Sequence, residues 1–498
     1  SDLMTNNAIL NLDYNGRHID SGKWPNSSLT VSPRIGFVYD VFGDKTLKFR
    51  GGTGFFQGRL PLVFFTNLPT NSGMIQYQAQ LNATKAWNPQ TGKKEGVDMT
   101  PFEGGLVVDK DGKPTAAALR DKLISMGYPE NITPDKGSVP SAISAVDRNF
   151  KLPQVWKTSF AIDYQIPVSF PMSVSVEGIF NKTLNAATLT DWSVQDVKGF
   201  PRFNGADNRP IYPKGSSVGT SAYVLENTSR GYGWSFSAQV NAQPWEWLNL
   251  MAAYTHTVSK EVTSLPGSNA SSVLNYISTV YGPNNIKLHN GQNVTPDRII
   301  ASATIHDKSN NHYSFIYEAW RGGYNYSYMT VNDINNDGYN YDALYIPTDK
   351  QVADNEFRFK SEDDKTRFMD YVHANSYLKN HQGEYAEAYS LYNPWVHRID
   401  FSYKHDFKFD VAGHTNTIQL SFDMKNVLNF FNSSWGVMKY LNPEIGSDPR
   451  ILRYEGYDKD GYATFSTPKS INGNTKTFVP NHAIGQCWYA SVGLRYIF

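Results

Sequence analysis

Apolar and polar side chains alternate with a period of two along most of the chain. Within 154–166 one face carries Trp156, Thr158, Phe160, Ile162, Tyr164 and Ile166. The other carries Val155, Lys157, Ser159, Ala161, Asp163 and Gln165. The pattern recurs as Met172, Val174, Val176 and Phe180 against Ser173, Ser175, Glu177 and Asn181, and again as Ile399, Phe401, Tyr403 and Phe407 against Arg398, Asp400, Ser402, Lys404 and Asp406. It predicts strands near 31–41, 47–57, 154–166, 172–182, 231–242, 248–258, 298–306, 312–330, 395–407, 416–428 and 487–498, eleven in all. Most are longer than the ~5–6 residues of a soluble strand and match the ~9–11 that a tilted bilayer crossing needs.

The connections sort by length. Short turns at 42–46, 167–171, 243–247, 307–311 and 408–415 alternate with long excursions at 58–153, 183–230, 259–297, 331–394 and 429–486. A soluble sandwich has no reason to place every short turn at one end. An outer-membrane barrel has, with short periplasmic turns and long extracellular loops. The predicted fold is therefore all-β, a transmembrane antiparallel up-and-down barrel. An odd number of strands does not close a bacterial single-chain barrel, and eleven is half of the 22 found in plugged barrels. On this reading residues 1–30 end an extracellular loop and partner strands lie upstream. Two excursions carry helix signals, Thr115 capping 116–126 with Gly127 as stop, and Ser361 with Asp364 opening 362–375.

Composition fits a membrane wall. Aromatics make up 14% of the 498 residues, and Tyr and Trp gather at membrane interfaces. Outward Trp156, Tyr164, Trp234, Tyr254, Tyr403, Trp488 and Tyr496 are expected near the two ends of the apolar band. The polar positions Lys157, Asp163, Glu177, Arg398, Asp400, Lys404 and Asp406 would line a wet interior. Lys and Arg balance Asp and Glu at 46 each, which argues against a nucleic-acid partner. One cysteine, Cys487, allows no internal disulfide framework.

Catalytic signals are weak, and no enzyme is expected. The G-x-S-x-G match at 215–219 lies in a loop, without the strand and helix that a nucleophile elbow needs. Gly51, Gly52 and Gly54 interrupt a strand and precede no helix, so they suit a crowded wall or the close approach of a plug rather than a dinucleotide. Asp333, Asn335 and Asp337, followed by Gly338, have calcium-loop spacing. The twelfth position is Leu344 where an EF-hand needs a carboxylate, leaving Asp342 as substitute. An Asx-rich loop bonded to itself explains the same residues. Tyr324, Tyr326, Tyr339 and Tyr341 are candidate ligand-loop aromatics, suited to stacking on sugars or packing on peptides.

The last strand places Trp488, Ala490, Val492, Leu494, Tyr496 and Phe498 on one face and resembles the terminal signal of outer-membrane proteins. KNVLNFFN at 425–432 resembles a segment near the end of TonB-dependent receptors, although Phe430 and Phe431 follow Asn429 where that segment has Leu-Phe. Residues 32–61, 333–347 and 383–407 resemble the Oar-like branch common in Bacteroidota, related to SusC-like proteins. The resemblance implies the C-terminal part of a 22-stranded barrel across 1–498, with the plug and first strands upstream. It further implies energised uptake of a large or scarce solute such as a peptide, oligosaccharide or metal chelate. The implied partners are outer-membrane lipid, the protein's own plug and barrel half, the TonB complex and a surface lipoprotein. An adhesin, assembly or export-associated barrel is the alternative.

Overall fold

Eleven strands pair in chain order into one antiparallel wall. They are β1 (Arg34–Asp40), β2 (Leu47–Gln57), β3 (Gln154–Gln165), β4 (Met172–Asp191), β5 (Tyr232–Trp245), β6 (Leu248–Glu261), β7 (Asp297–His306), β8 (Asn311–Arg321), β9 (Val396–Val411), β10 (His414–Lys425) and β11 (Tyr489–Ile497). The computed structural model describes residues 4–74, 86–88, 91, 93–95, 107–214, 217, 219–263, 265, 270–411, 413–446 and 448–498. Among these the sheet is open, β1 and β11 each having one neighbour along the path.

The registers keep every apolar row on one face. Tyr164 stands opposite Leu47 and Val174, Val240 opposite Val174 and Ala252, and Phe401 opposite Phe315 and Met424. A slip of one residue anywhere would turn a whole strand's apolar set inward. Among the described residues this face is left largely uncovered. Phe160 is 49% exposed and Phe315 42%, with Phe236, Leu250 and Leu420 also exposed beside them. Soluble monomers rarely leave contiguous apolar patches beyond a few hundred Å² in water, so the solvent of this face is lipid. Trp156, Trp234 and Trp488 stand at the long-loop ends of their strands and Tyr164 and Tyr496 at the short-turn ends, whereas Tyr254 and Tyr403, expected at the edges too, lie near mid-strand. All are exposed except half-buried Tyr403, and the five at strand ends stand where interfacial aromatics are expected.

The opposite face is cross-linked by polar side chains. Arg50 on β2 donates to Asp163 on β3 at 3.0 Å and to Glu177 on β4 at 3.4 Å, while Ser175 donates to Asp163 at 2.6 Å. Lys425 pairs with Asp400 at 2.8 Å, Gln419 with Asp406 at 2.8 Å, and Ser402 with Asp423 at 2.6 Å. The expected inward set thus lies on the face away from lipid. The glycine run in β2 answers to crowding: a Cβ on Gly51 would stand 2.7 Å from the Ser159 carbonyl, and one on Gly52 2.9 Å from that of Ile35.

Several boundaries differ from the periodic reading. β8 ends at Arg321, not 330, because Gly322 and Gly323 turn the chain with φ of +81° and +92°. A Cβ on Gly322 would meet the Val294 carbonyl at 2.7 Å. β10 ends at Lys425, since Asn426 adopts a left-handed φ of 53° and opens the helix Val427–Phe431. The expected turn at 408–415 is mostly strand, pairing continuing to Val411 opposite His414. β4 runs to Asp191 rather than 182, and its far end pairs with Ser221–Thr228, which itself pairs in parallel with Ala142–Val146. The two predicted helices form as Ala116–Ser125 and Glu362–Ala374.

In the full-length protein in phospholipid, Val240→Arg on the lipid face should cost about 2–4 kcal/mol in denaturant unfolding. Gln239→Arg, one residue along on the other face, should cost under about 1 kcal/mol. Equal losses would refute the assignment of faces.

Candidate functional site

The long connections fold together over one end of the wall. Three of them share a core in which Phe203 meets Tyr328, Ile334, Leu344 and Phe368 from one excursion and Ile451, Leu452 and Phe465 from another. Phe357 and Phe465 stack with centroids 4.6 Å apart. Glu362–Ala374 turns Phe368, Met369, Tyr371 and Val372 into this core. Ser361 caps the helix by accepting from the Asp364 amide at 3.1 Å and donating to the Asp364 carboxylate at 2.6 Å. Residues near the chain start join the layer, Asn6 donating to the Ser72 and Ser138 carbonyls at 3.0 and 2.7 Å.

Arg209 anchors the layer. It is fully buried, grips Asp207 through Nε and Nη2 at 2.8 and 2.9 Å, and reaches Asp342 at 3.2 Å and the Ala343 carbonyl at 2.8 Å. Asp342 also accepts from the Ile334 amide at 3.0 Å. The acidic loop beside it closes on itself. Asp333 accepts from the amides of Asp337 and Gly338 at 3.1 and 2.8 Å, Asp337 from the Tyr339 amide at 2.8 Å, and Asn335 donates to Asp337 at 3.1 Å. Asp342 divides its carboxylate, one oxygen taken by Arg209 and the other by the Ile334 amide of the loop. Among the described residues no three His, Cys, Asp or Glu side chains gather as a metal site. The residues present suit a self-bonded Asx loop. Burial, then the charge of Asp333, pushes the Asp337 carboxyl up to about 7.

The structure brings three of the four candidate tyrosines together. Tyr324 and Tyr326 meet edge to face at 5.1 Å, Tyr326 meets Phe478 at 6.0 Å, and Tyr341 meets Tyr276 at 5.7 Å with Arg450 over its ring at 4.9 Å. Burial and the charge of Asp448 raise the phenols of Tyr324, Tyr326 and Tyr341. Tyr339 lies elsewhere. It is buried against Tyr212 and Leu189, and its hydroxyl donates to Asp191 at 2.8 Å, so it holds the layer together. Two cavities flank residues 384–388. One of about 680 Å³ is lined by Asn375, Tyr377, His381, Tyr392 and Phe478, the other, of about 280 Å³, by Ser278, Tyr281, Lys287 and His289. Glu387 borders both and is paired with Lys260 at the top of β6.

Residues 3–437 match the family model described as the outer membrane beta barrel domain. The chain belongs to that family. As a member of it, this barrel domain resides in the outer membrane and crosses it with strands. No curated protein matches the sequence significantly. Among solved structures it is similar to the outer membrane transporter YddB of Escherichia coli, with 11% identity, a TM-score of 0.40, and 94% of this chain covered against 41% of that one. A mutant of the ferric enterobactin receptor PfeA of Pseudomonas aeruginosa gives 6%, 0.35, 93% and 39%. The FrpB iron transporter of Neisseria meningitidis gives 10%, 0.32, 82% and 35%. The chain spans about two fifths of the first of these.

In this barrel domain the KNVLNFFN segment has a mechanical role. Asn426 donates to the Gly436 and Gln486 carbonyls at 3.0 and 2.9 Å, and Asn429 donates to Ser433 and Trp435 while accepting from the Trp488 amide at 3.1 Å. The segment ties the last excursion to the start of the last strand. Arg209 and Asp207 escaped the sequence reading, because nothing in their local pattern marks Asp342 and Tyr385, 133 and 178 positions on, as their partners. Of the G-x-S-x-G match, Gly215, Ser216 and Val218 lie outside the described residues.

A carboxyl raised in the folded state stabilises the fold below its ordinary range and loses that contribution as pH rises through the folded value. The Asp337 contribution is therefore largest below about 3.8 and lost as pH rises toward about 7. Protease resistance of the loop layer should rise from pH 8 to about 5. Asp337→Asn should flatten that slope and strengthen the layer at pH 8, and an unchanged slope would discard the assignment.

Proposed function

We propose that the chain forms the C-terminal part of the barrel of a TonB-dependent transporter. It would take up a large or scarce solute, whether a peptide, an oligosaccharide or a metal chelate. The observation that carries this reading is the packed loop layer, with two cavities and a tyrosine cluster, set over a wall whose non-lipid face carries cross-strand hydrogen bonds and ion pairs. Such an arrangement offers a capture surface outside the bilayer and a polar interior below it. Tyr324, Tyr326 and Tyr341 would contact the solute, and the polar face of β2–β10 would hold the plug through hydrogen bonds and ion pairs. The remaining strands and the plug would come from upstream sequence, and the TonB complex would act through that region. A surface lipoprotein covering the loop layer belongs to the same reading. Capture and passage need no bond-breaking, so no enzymatic role is assigned.

Deleting the gene and restoring it tests this. Loss of growth on one peptide, glycan or chelated metal as sole source, reversed by the intact gene but not in a strain lacking TonB, is the expected result. Unchanged growth together with lost surface adhesion or secretion would favour the adhesin or export barrel instead.

Calcium is a separate question. If Asp333, Asn335 and Asp337 hold it, about 1 mM calcium should raise the melting midpoint of the loop layer near neutral pH, and Asp337→Asn should cancel the rise. No shift in the intact protein would remove calcium from the account.

A further inference from the structure

The apolar surface of the lipid face does not stop where the last two strands end. Trp488, just before β11, continues the row of Ala490, Val492 and Leu494, which stand opposite Met424, Phe422 and Leu420 on the lipid face. Phe430, in the short helix Val427–Phe431, meets the Trp488 ring edge to face at 5.1 Å, and Phe431 meets Phe430 at 5.4 Å. All three are exposed, Phe431 by 70%. Two more exposed apolar side chains flank the same corner. Asn426 donates to the carbonyls of Gly436 and Gln486, which brings in Trp435 and Ile484, the latter 92% exposed. Large apolar side chains gathered like this on a surface mark a contact with something other than water.

Charge sets this corner apart from the rest of the loop layer. Residues 426–438 and 477–494 contain no Asp, Glu, Lys or Arg. At 349–370, by contrast, twelve of 22 residues are charged, as a segment facing water tolerates. Excluding charge is what a segment in contact with acyl chains requires, because an ion there is costly. The amides of Asn426 and Asn429 are used inward, on the carbonyls of Ser433, Trp435, Gly436 and Gln486, and the Trp488 amide donates back to Asn429. What the corner offers outward is ring and methyl surface.

We propose that Phe430, Phe431 and Ile484 dip into the outer leaflet at the boundary between headgroups and acyl chains, and anchor the barrel there beside β11. Lipid is the occupant because Trp488 makes the corner continuous with the lipid face at the level where interfacial aromatics sit. The anchor depends on residence in the outer membrane and not on the transporter reading.

The test uses the full-length protein carrying Cys487→Ser, in vesicles of phosphatidylcholine and phosphatidylglycerol. An environment-sensitive fluorophore is placed on Phe431→Cys, on Ile484→Cys, or on Asp363→Cys as a control in the charged part of the loop layer. At 431 and 484 the emission should shift to the blue and resist aqueous iodide. It should be quenched more by lipids with a nitroxide near the headgroup than by lipids with one at the chain end. The label at 363 should be quenched by iodide and not by nitroxide lipids. Ile484→Cys keeps the test decisive should Phe431→Cys fail to fold. Iodide quenching at 431 and 484 equal to that at 363 would put the corner in water. Blue-shifted emission quenched by neither agent would put protein over it, from the upstream half of the barrel or from a partner. Either result overturns the anchor.

Discussion

In hydrocarbon every backbone amide and carbonyl has to find its partner inside the protein. The wall answers this with antiparallel ladders from β1 to β11, and the other features follow from it. Extended backbone points successive side chains to opposite sides, so a two-residue period becomes a lipid face and a polar face. Because pairing fixes register, Val174, Val240 and Ala252 line up across three strands and a single apolar band results. The polar face gains freedom in exchange. Arg50, Asp163 and Glu177 bridge three strands there because water and neighbouring side chains, not acyl tails, surround them.

Beyond the bilayer the constraint relaxes, and the chain changes character. Irregular backbone becomes tolerable, turns take left-handed residues such as Asn332, Asn336 and Gly338, and the excursions build an ordinary buried core. That core contains a fully buried guanidinium. Removing one partner from such a group is destabilising, whereas the intact cluster fixes which segments meet. Arg209 joins its own neighbourhood to Asp342 and Ala343, and Tyr385 completes the set through Asp207 at 2.9 Å. A rigid layer of this kind holds the tyrosines and cavities at fixed positions over the wall.

The wall was readable because its signal is local and repeated. Eleven strands, their faces and the sorting of turns follow from period two, and the helix at 362–374 from Ser361 and Asp364. Strand ends were less readable. The stops at Arg321 and Lys425 depend on left-handed residues and on close backbone contacts that no periodicity encodes. The loop layer was least readable. Tyr339 and Tyr341 stand two apart in sequence, yet one is buried on Asp191 and the other faces Tyr276 and Arg450. The pairing of Arg209 with Asp342 spans 133 positions.

The division of the wall into a hydrocarbon side and an aqueous side can be measured directly. Spin labels placed one at a time along β5 in lipid vesicles, after Cys487→Ser, report accessibility to oxygen and to a water-soluble nickel chelate. The account predicts alternation, with 234, 236, 238 and 240 open to oxygen and 235, 237, 239 and 241 open to the chelate. Equal chelate access on both faces would contradict it.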